Sequence, residues 1–239
     1  LSPTTQLTED SGQWRLTGSK QWISAGASAT HLAVLANNET GLAWVLVPVD
    51  AKGVTRNIYP THDGRGGASV EFDVSLDDAR IIATGEIAQD ALTAYRELAM
   101  VLSSAETLGA TQAALDTTVD YTKQRIQFGQ PLASFQALQH RMSNMLIQTA
   151  LTRSLVYAAC DAADAGQADC GRLARAAKVK AATVGRKVSQ EAIQLHGGIA
   201  TTDEYIVGHF FKRITTLESW VCSKGEALKE FMALPVAQH

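Results

Sequence analysis

What most limits the fold of this chain is a change of hydrophobic period near residue 86. Upstream, apolar residues come in short runs: Trp14-Arg-Leu-Thr-Gly18, Lys20-Gln-Trp-Ile-Ser-Ala-Gly26, His31-Leu-Ala-Val-Leu-Ala36 and Leu42-Ala-Trp-Val-Leu-Val47. The runs are rich in β-branched and aromatic residues and are bounded by Gly, Asn, Asp or Pro, the punctuation of strands. Asn37-Asn38-Glu39-Thr40-Gly41 has the composition of a hairpin loop. Val70, Phe72, Val74 and Leu76 alternate with polar residues, which gives a strand one buried face. Strands this close together predict an antiparallel β-sandwich or barrel fragment.

Downstream, Leu98, Leu102, Ala105, Leu108, Leu115 and Val119 fall at helical spacing, with no proline before Pro131. A second helix is expected over about 134–165, with Ser134 as its N-cap. A third, Ala-rich, is expected over about 170–195 and stops at Gly197-Gly198, because glycine accepts φ > 0. Shorter helices are expected over about 203–214 and 216–233. Long helices with short connections predict an up-and-down four-helix bundle. The chain therefore divides into a β-domain, 1–86, and a helical-bundle domain, 87–239.

Composition narrows the function by exclusion. Apolar residues make up 46% of the 239 residues and charged residues 19%, with a net charge of −3 and the two signs interspersed. That is the balance of a soluble globular protein, without the basic footprint of a nucleic-acid binder. No apolar run approaches a membrane span. Cys160, Cys170 and Cys222 are too few and too irregularly spaced for a disulfide framework or a zinc site, and no His/Cys cluster points to a metal. Free thiols suit a reducing compartment, and a cytoplasmic location is expected. The opening residues are polar, with neither Met nor signal peptide, so the sequence is expected to begin inside a larger gene product.

Three segments bear chemistry or a plain structural role. In Arg125-Ile-Gln-Phe-Gly-Gln-Pro131, followed by Phe135-Gln136, the arginine either complements a helix dipole or offers a permanent charge to a pyrophosphate. Gln194-Leu-His-Gly-Gly-Ile-Ala200 reads either as a helix cap or as a turn that a ligand approaches closely. In Lys20-Gln-Trp-Ile-Ser-Ala-Gly26, Trp22 is either core or a ligand contact; on a regular strand, Trp22 and Ser24 would share a face.

In this order and spacing the segments resemble the acyl-CoA dehydrogenase family over about residues 13–233. The likeness is carried by Leu16-Thr-Gly-Ser-Lys-Gln-Trp-Ile-Ser-Ala-Gly26, by Arg125-Ile-Gln-Phe-Gly-Gln-Pro-Leu132 with Phe135-Gln136, and by Gln194-Leu-His-Gly-Gly-Ile-Ala-Thr-Thr-Asp-Glu-Tyr205. The resemblance implies an FAD enzyme with an N-terminal helical domain, a middle β-domain and a C-terminal bundle, of which this chain holds part of the second and the third. It implies a homo- or hetero-tetramer, an acyl-CoA substrate and an electron-transferring flavoprotein as partner. On that pattern Trp22 lies near the isoalloxazine ring and Ser24 offers its hydroxyl to flavin N5. Arg125 and Phe128 reach the FAD of a neighbouring subunit, Phe135 and Gln136 support its adenosine end, and Gln194, Gly197 and Gly198 form a second cross-subunit contact. The implied reaction is α,β-desaturation: a carboxylate takes the α-proton while a hydride leaves Cβ for the flavin.

Departures from the family pattern sharpen these expectations. The Gly/Ser/Asp-rich flavin loop and the N-terminal domain precede residue 1, so this polypeptide alone is expected to bind FAD weakly or not at all. The common base position falls on Val221 and the alternative one on Ala99; neither takes a proton. Glu218, Glu97 and Glu106 are the nearby carboxylates, with Glu218 the candidate catalytic base. Met100 stands where a CoA-binding Arg is usual, and Arg96, one turn away, is the candidate replacement. Tyr205-Ile-Val-Gly-His-Phe-Phe-Lys-Arg-Ile-Thr215 resembles a bacterial branch acting on bulky substrates such as steroid side chains, some of whose members pair a working subunit with one lacking a base. Three readings follow: a fatty-acyl or steroid-side-chain dehydrogenase, a non-catalytic supporting subunit, or a related flavoprotein of the monooxygenase or nitroalkane oxidase kind.

Overall fold

The computed structural model describes residues 3–77 and 80–235; positions 1–2, 78–79 and 236–239, including the opening Leu1, lie outside the described residues. The chain forms two compact units, 1–94 and 95–239. In the first, strands β1 (Gln6–Asp10), β2 (Gln13–Ser24), β3 (His31–Asn38), β4 (Gly41–Pro48), β5 (Val54–Pro60), β6 (Gly66–Leu76) and β7 (Ile81–Thr84) make one sheet. Its order is β5-β6-β2-β1-β3-β4-β7. Neighbours are antiparallel except β1 and β3, which run parallel at Gln6 and Asn37. The exception follows from connectivity: β2 reverses β1, the turn after Ser24 reverses β2, and β3 then lies against the free edge of β1. Asn37 secures that junction, its amide donating to Thr5 O and its side chain to Pro3 O.

The expected alternation is present in β6, where Val70, Phe72, Val74 and Leu76 are buried. They meet Leu32, Val34 and Ala36 of β3 and Ala43, Val45 and Val47 of β4 in one cluster, so both wings of the sheet curl over a single apolar interior. The expected hairpin loop tightens to Glu39-Thr40, because Asn38 already pairs with Gly41.

In the second unit, helix α1 (Gly85–Gln124, begun in the first unit) is followed by a two-strand hairpin, β8 (Ile126–Gln127) and β9 (Gln130–Pro131). Helices α2 (Gln136–Asp164), α3 (Cys170–His196), α4 (Ile206–Ser219) and α5 (Lys224–Ala233) complete it. One core cluster joins Met100 and Leu108 of α1 to Val156 of α2 and Ala177 of α3; another joins Leu115 to Met145 and Val188. Sequence numbers rise along α1 and α3 but fall along α2, the up-down-up order of a bundle. Small side chains on α3, Ala174, Ala177, Ala181 and Ala192, let its neighbours approach closely.

Two boundaries correct the sequence reading. Ser134 does not cap α2: Leu132–Ser134 form a 3-10 turn, and Phe135 takes the cap position without a side-chain bond. The last helices break at 220–223 and not near 215, because Lys178 and Ser223 mark the ends. Buried Lys178 donates to the carbonyls of Leu217 and Trp220, closing α4, and Ser223 opens α5 in a capping box with Glu226. Among the described residues, no helix is long and apolar enough to cross a membrane.

Candidate functional site

The first candidate region lies at the end of β2. Its register with β6 slips between Lys20 and Ile23, and Trp22 takes a left-handed backbone, φ 57°. The alternation argument for Trp22 and Ser24 therefore fails at this bulge. Both residues are nonetheless exposed, while Ile23 between them packs on the β core. Trp22 is 76% exposed and meets Tyr59 edge-on, centroids 5.7 Å apart. Ala25 is also left-handed, φ 58°, so two non-glycine residues flanking Ser24 carry a conformation that costs about 1–2 kcal/mol each. Strain of this kind collects where a side chain must be aimed.

The second region joins the end of α1 to the end of α3. Residues 123–130 are all exposed. The tip of the β8–β9 hairpin carries Phe128 at φ 54°, 90% exposed, and Phe135 touches its ring edge-on at 6.2 Å. Full burial of such a ring is worth about 1.5–3 kcal/mol, and the chain forgoes nearly all of it. Arg125, beside it, has no side-chain hydrogen bond or ion pair among the described residues. One turn earlier, Tyr121 stacks on His196 at 4.3 Å and its hydroxyl donates to the His196 carbonyl. Tyr205 also meets that imidazole, at 5.1 Å, and stands edge-on to Tyr121 at 6.3 Å. Burial lowers the His196 pKa, opposed by the Ala192 carbonyl that its Nδ1 meets at 2.8 Å. A neutral ring thus fixes the residue before the diglycine.

Gly197 ends α3 with φ 68° and ψ −146°, a conformation only glycine holds comfortably. Gly198 has no such need, and a Cβ there would meet nothing within 4 Å. Among the described residues nothing requires glycine at 198, and its face is open. Gln194 and Gln136 are exposed nearby in sequence. His196 and Tyr205 stand inside the 194–205 motif of the sequence reading without a role, and Tyr121 is missed there, although its spacing one turn before Arg125 is available as a signal.

The third region, where a base is sought, is closed. Val221 is left-handed, φ 72°, and packs on the bundle core; Ala99 and Met100 are buried. Glu218 is bound by Arg186. Glu106 is gripped in bidentate fashion by Arg213, both contacts at 2.7 Å. Glu97 meets Arg175 at 3.1 Å, and Arg175 also meets Glu230 at 3.0 Å. Arg96, the candidate CoA contact, is spent on Glu230 at 2.7 Å. Burial works to raise the Glu230 pKa, but the hydrogen bond and charge of Arg96, with Arg175 behind, hold it below its ordinary value.

Residues 87–221 match the family described as acyl-CoA dehydrogenase, C-terminal domain, and residues 1–78 its middle domain. The chain is 30% identical over 218 residues to the probable acyl-CoA dehydrogenase FadE25 of Mycobacterium tuberculosis, covering 87% of this chain and 56% of that one. It thus spans little more than half the length of that relative. Its fold matches the ChsE4–ChsE5 complex of M. tuberculosis (TM-score 0.88, 23% identity, 98% of this chain and 64% of that one). It also matches a Mycobacterium smegmatis glutaryl-CoA dehydrogenase in complex with FADH2 (TM-score 0.88, 23% identity, 95% and 60%). On the matched domains, with the fold that carries them, the chain belongs to the acyl-CoA dehydrogenase family.

Proposed function

We propose that this chain serves FAD-dependent acyl-CoA dehydrogenation as a part that completes the flavin site, with the proton-abstracting group supplied from outside the described residues. The observation that carries the reading is an Arg125 with no side-chain partner among the described residues, beside a projecting Phe128, with Tyr121 joining the Arg125 backbone to His196 and so to the open Gly197-Gly198 turn. These features fit one side of an FAD site: a fixed cation for the pyrophosphate, exposed aromatics, and a backbone that a ligand approaches closely. FAD, when bound, supplies the hydride acceptor for α,β-desaturation of an acyl thioester. Arg125 would hold the pyrophosphate of a neighbouring subunit's FAD, with Phe128, Phe135 and Gln136 along its adenosine end and Gln194, Gly197 and Gly198 at the second contact. Trp22 would present its ring to the isoalloxazine and Ser24 its hydroxyl to N5. Electrons would leave to an electron-transferring flavoprotein, in the cytoplasm, where three free thiols are stable.

A specific observation favours the supporting-subunit form of this reading. Every carboxylate considered as base is held by an arginine, and Val221 and Ala99 carry no titratable group. A homo-oligomer needs Glu218 to leave Arg186; a hetero-oligomer does not, and the ChsE4–ChsE5 complex is a neighbour whose name records such a pairing. The substrate is an acyl-CoA of the fatty or steroid side-chain kind.

The test is acyl-CoA-dependent bleaching of flavin by the full gene product, alone and with chains encoded beside it. Bleaching only with a second chain is expected, and Glu218→Gln should leave its rate within about twofold. Bleaching by the product alone, abolished by Glu218→Gln, would return Glu218 to the role of base. No bleaching with any acyl-CoA in any combination would sink the dehydrogenase reading. The isolated chain should quench FAD fluorescence weakly or not at all.

A further inference from the structure

Arg56 is the group in the β unit whose arrangement the flavin reading leaves unexplained. It stands on β5, the edge strand, and its side chain crosses to the turn that follows β2. There Nη1 donates to the carbonyls of Gly26 at 3.0 Å and Ala29 at 3.1 Å, with Ala27 a longer third contact at 3.4 Å. None of these three carbonyls accepts a backbone hydrogen bond among the described residues. The turn is otherwise knotted on itself: Gly26 N–H donates to Ile23 O, and the amides of Ser28 and Ala29 both donate to Ala25 O. Strand β6 also presses on it, since a Cβ at Gly26 would lie 2.7 Å from that of Ala68. The strained residues Trp22 and Ala25 sit at the mouth of this turn, with Ser24 between them.

We propose that Arg56 is a positioning residue for the Trp22–Ser24 surface. Its guanidinium satisfies carbonyls that would otherwise turn to water and relax the turn, so it holds Ala25 in the left-handed region and sets the direction of the Ser24 hydroxyl and the Trp22 ring. The planar donor matters: one nitrogen reaches two carbonyls while the rest of the group stays in plane, which an ammonium does less well. The role of this surface toward flavin rests on the reading above; the clamp itself does not.

The experiment compares Arg56→Met and Arg56→Lys with the unaltered chain, and with Arg15→Met as a control for loss of a surface arginine. Amide hydrogen exchange on the chain alone should accelerate about tenfold or more at Ser28 and Ala29 in Arg56→Met, and by less than about threefold in Arg56→Lys. A purely structural role would spread the acceleration through β6 and β3 and lower the melting temperature; the positioning role confines it to 25–29. In the assembly that contains this chain, Arg56→Met should weaken FAD binding about tenfold with rescue by Arg56→Lys. Unchanged exchange at 25–29 overturns the clamp. Faster exchange with unchanged FAD affinity overturns its service to flavin. Failure of the unaltered assembly to bind FAD overturns the flavin reading while the exchange result still decides the clamp.

Discussion

The two chemical regions of the bundle are built on opposite plans. At the ends of α1 and α3, Arg125 has no side-chain partner among the described residues, Phe128 stands 90% exposed, and nothing among those residues requires glycine at 198. Around Val221, Glu218, Glu97, Glu106, Arg96, Arg175 and Glu230 are all joined in pairs or chains. The first plan leaves interactions open for a molecule outside the chain. The second spends them on the chain's own stability. On the function proposed above, such a chain would keep its cofactor contacts while its base region becomes ordinary bundle interior.

The comparison breaks most visibly at Glu230, which links α5 to Arg96 on α1 and Arg175 on α3. Glu230→Leu leaves two largely buried guanidiniums, 19% and 11% exposed, without their shared carboxylate. A loss of about 2–4 kcal/mol is expected in urea denaturation. The sign with pH follows from the lowered carboxyl pKa: the contribution is complete above the ordinary glutamate value of 4.5 and disappears as pH falls through the lower folded value. The gap between wild type and variant should therefore narrow only below about pH 4.5. A neutral Glu230→Leu would mean that the region is not closed.

On the open side the balance reverses. Arg125→Ala and Phe128→Ala should change the stability of the chain by less than about 0.5 kcal/mol, since neither side chain is buried. Each should nevertheless weaken FAD binding in the assembled protein by about tenfold or more. Stability loss of more than about 1 kcal/mol would show that the hairpin is internal structure and not a reaching arm.

Lys178 sharpens what closed means. Burial lowers its pKa to about 8, against the opposing charges of Cys222 and Glu218. The folded value lies below the ordinary 10.5, so between these values the unfolded chain holds more protons and stability rises with pH. From pH 7.5 to 9.5 wild type should gain about 1–2 kcal/mol relative to Lys178→Met, whose curve lacks this rise. The neutral amine still has two hydrogens for Leu217 O and Trp220 O, so α4 keeps its end. A flat difference across that window would mean that the ammonium is solvated.

How much of this was legible in sequence depends on range. The β6 alternation and the Gly197 stop are local, and both were readable; so were Arg125, Phe128, Gln194 and Gly198 as candidates, because family motifs are contiguous. Strand β1 was not, since Gln6–Asp10 is polar and buries only Leu7. The parallel β1–β3 pairing depends on which edge a returning strand finds. Ser134 looked like a cap because its side chain suits one, but a 3-10 turn shifts the helix start past it. The partners of Glu218, Glu106 and Arg96 come from 32 to 134 residues away and the carbonyls collected by Arg56 from 27 to 30, and no local pattern encodes them.

The smallest expected effect on folding discriminates most cleanly. Gly197 and Gly198 are neighbours, both exposed, and a Cβ at either meets no atom within 4 Å. They differ in backbone: Gly197 has φ 68°, and Gly198 is outside the left-handed region. Gly197→Ala should cost about 1–3 kcal/mol from conformation alone. Gly198→Ala should be neutral or stabilising by up to about 1 kcal/mol, because alanine restricts the unfolded chain more than glycine does. If Gly198 is kept open for a cofactor, the same substitution must place a methyl group in the path of that cofactor, and FAD affinity of the assembly should fall about tenfold while the chain is no less stable. Denaturation and FAD titration of the one variant then move in opposite directions. If FAD affinity is also unchanged, the open face of this turn does not meet the cofactor, and the contrast between open and closed regions rests on Arg125 and Phe128 alone.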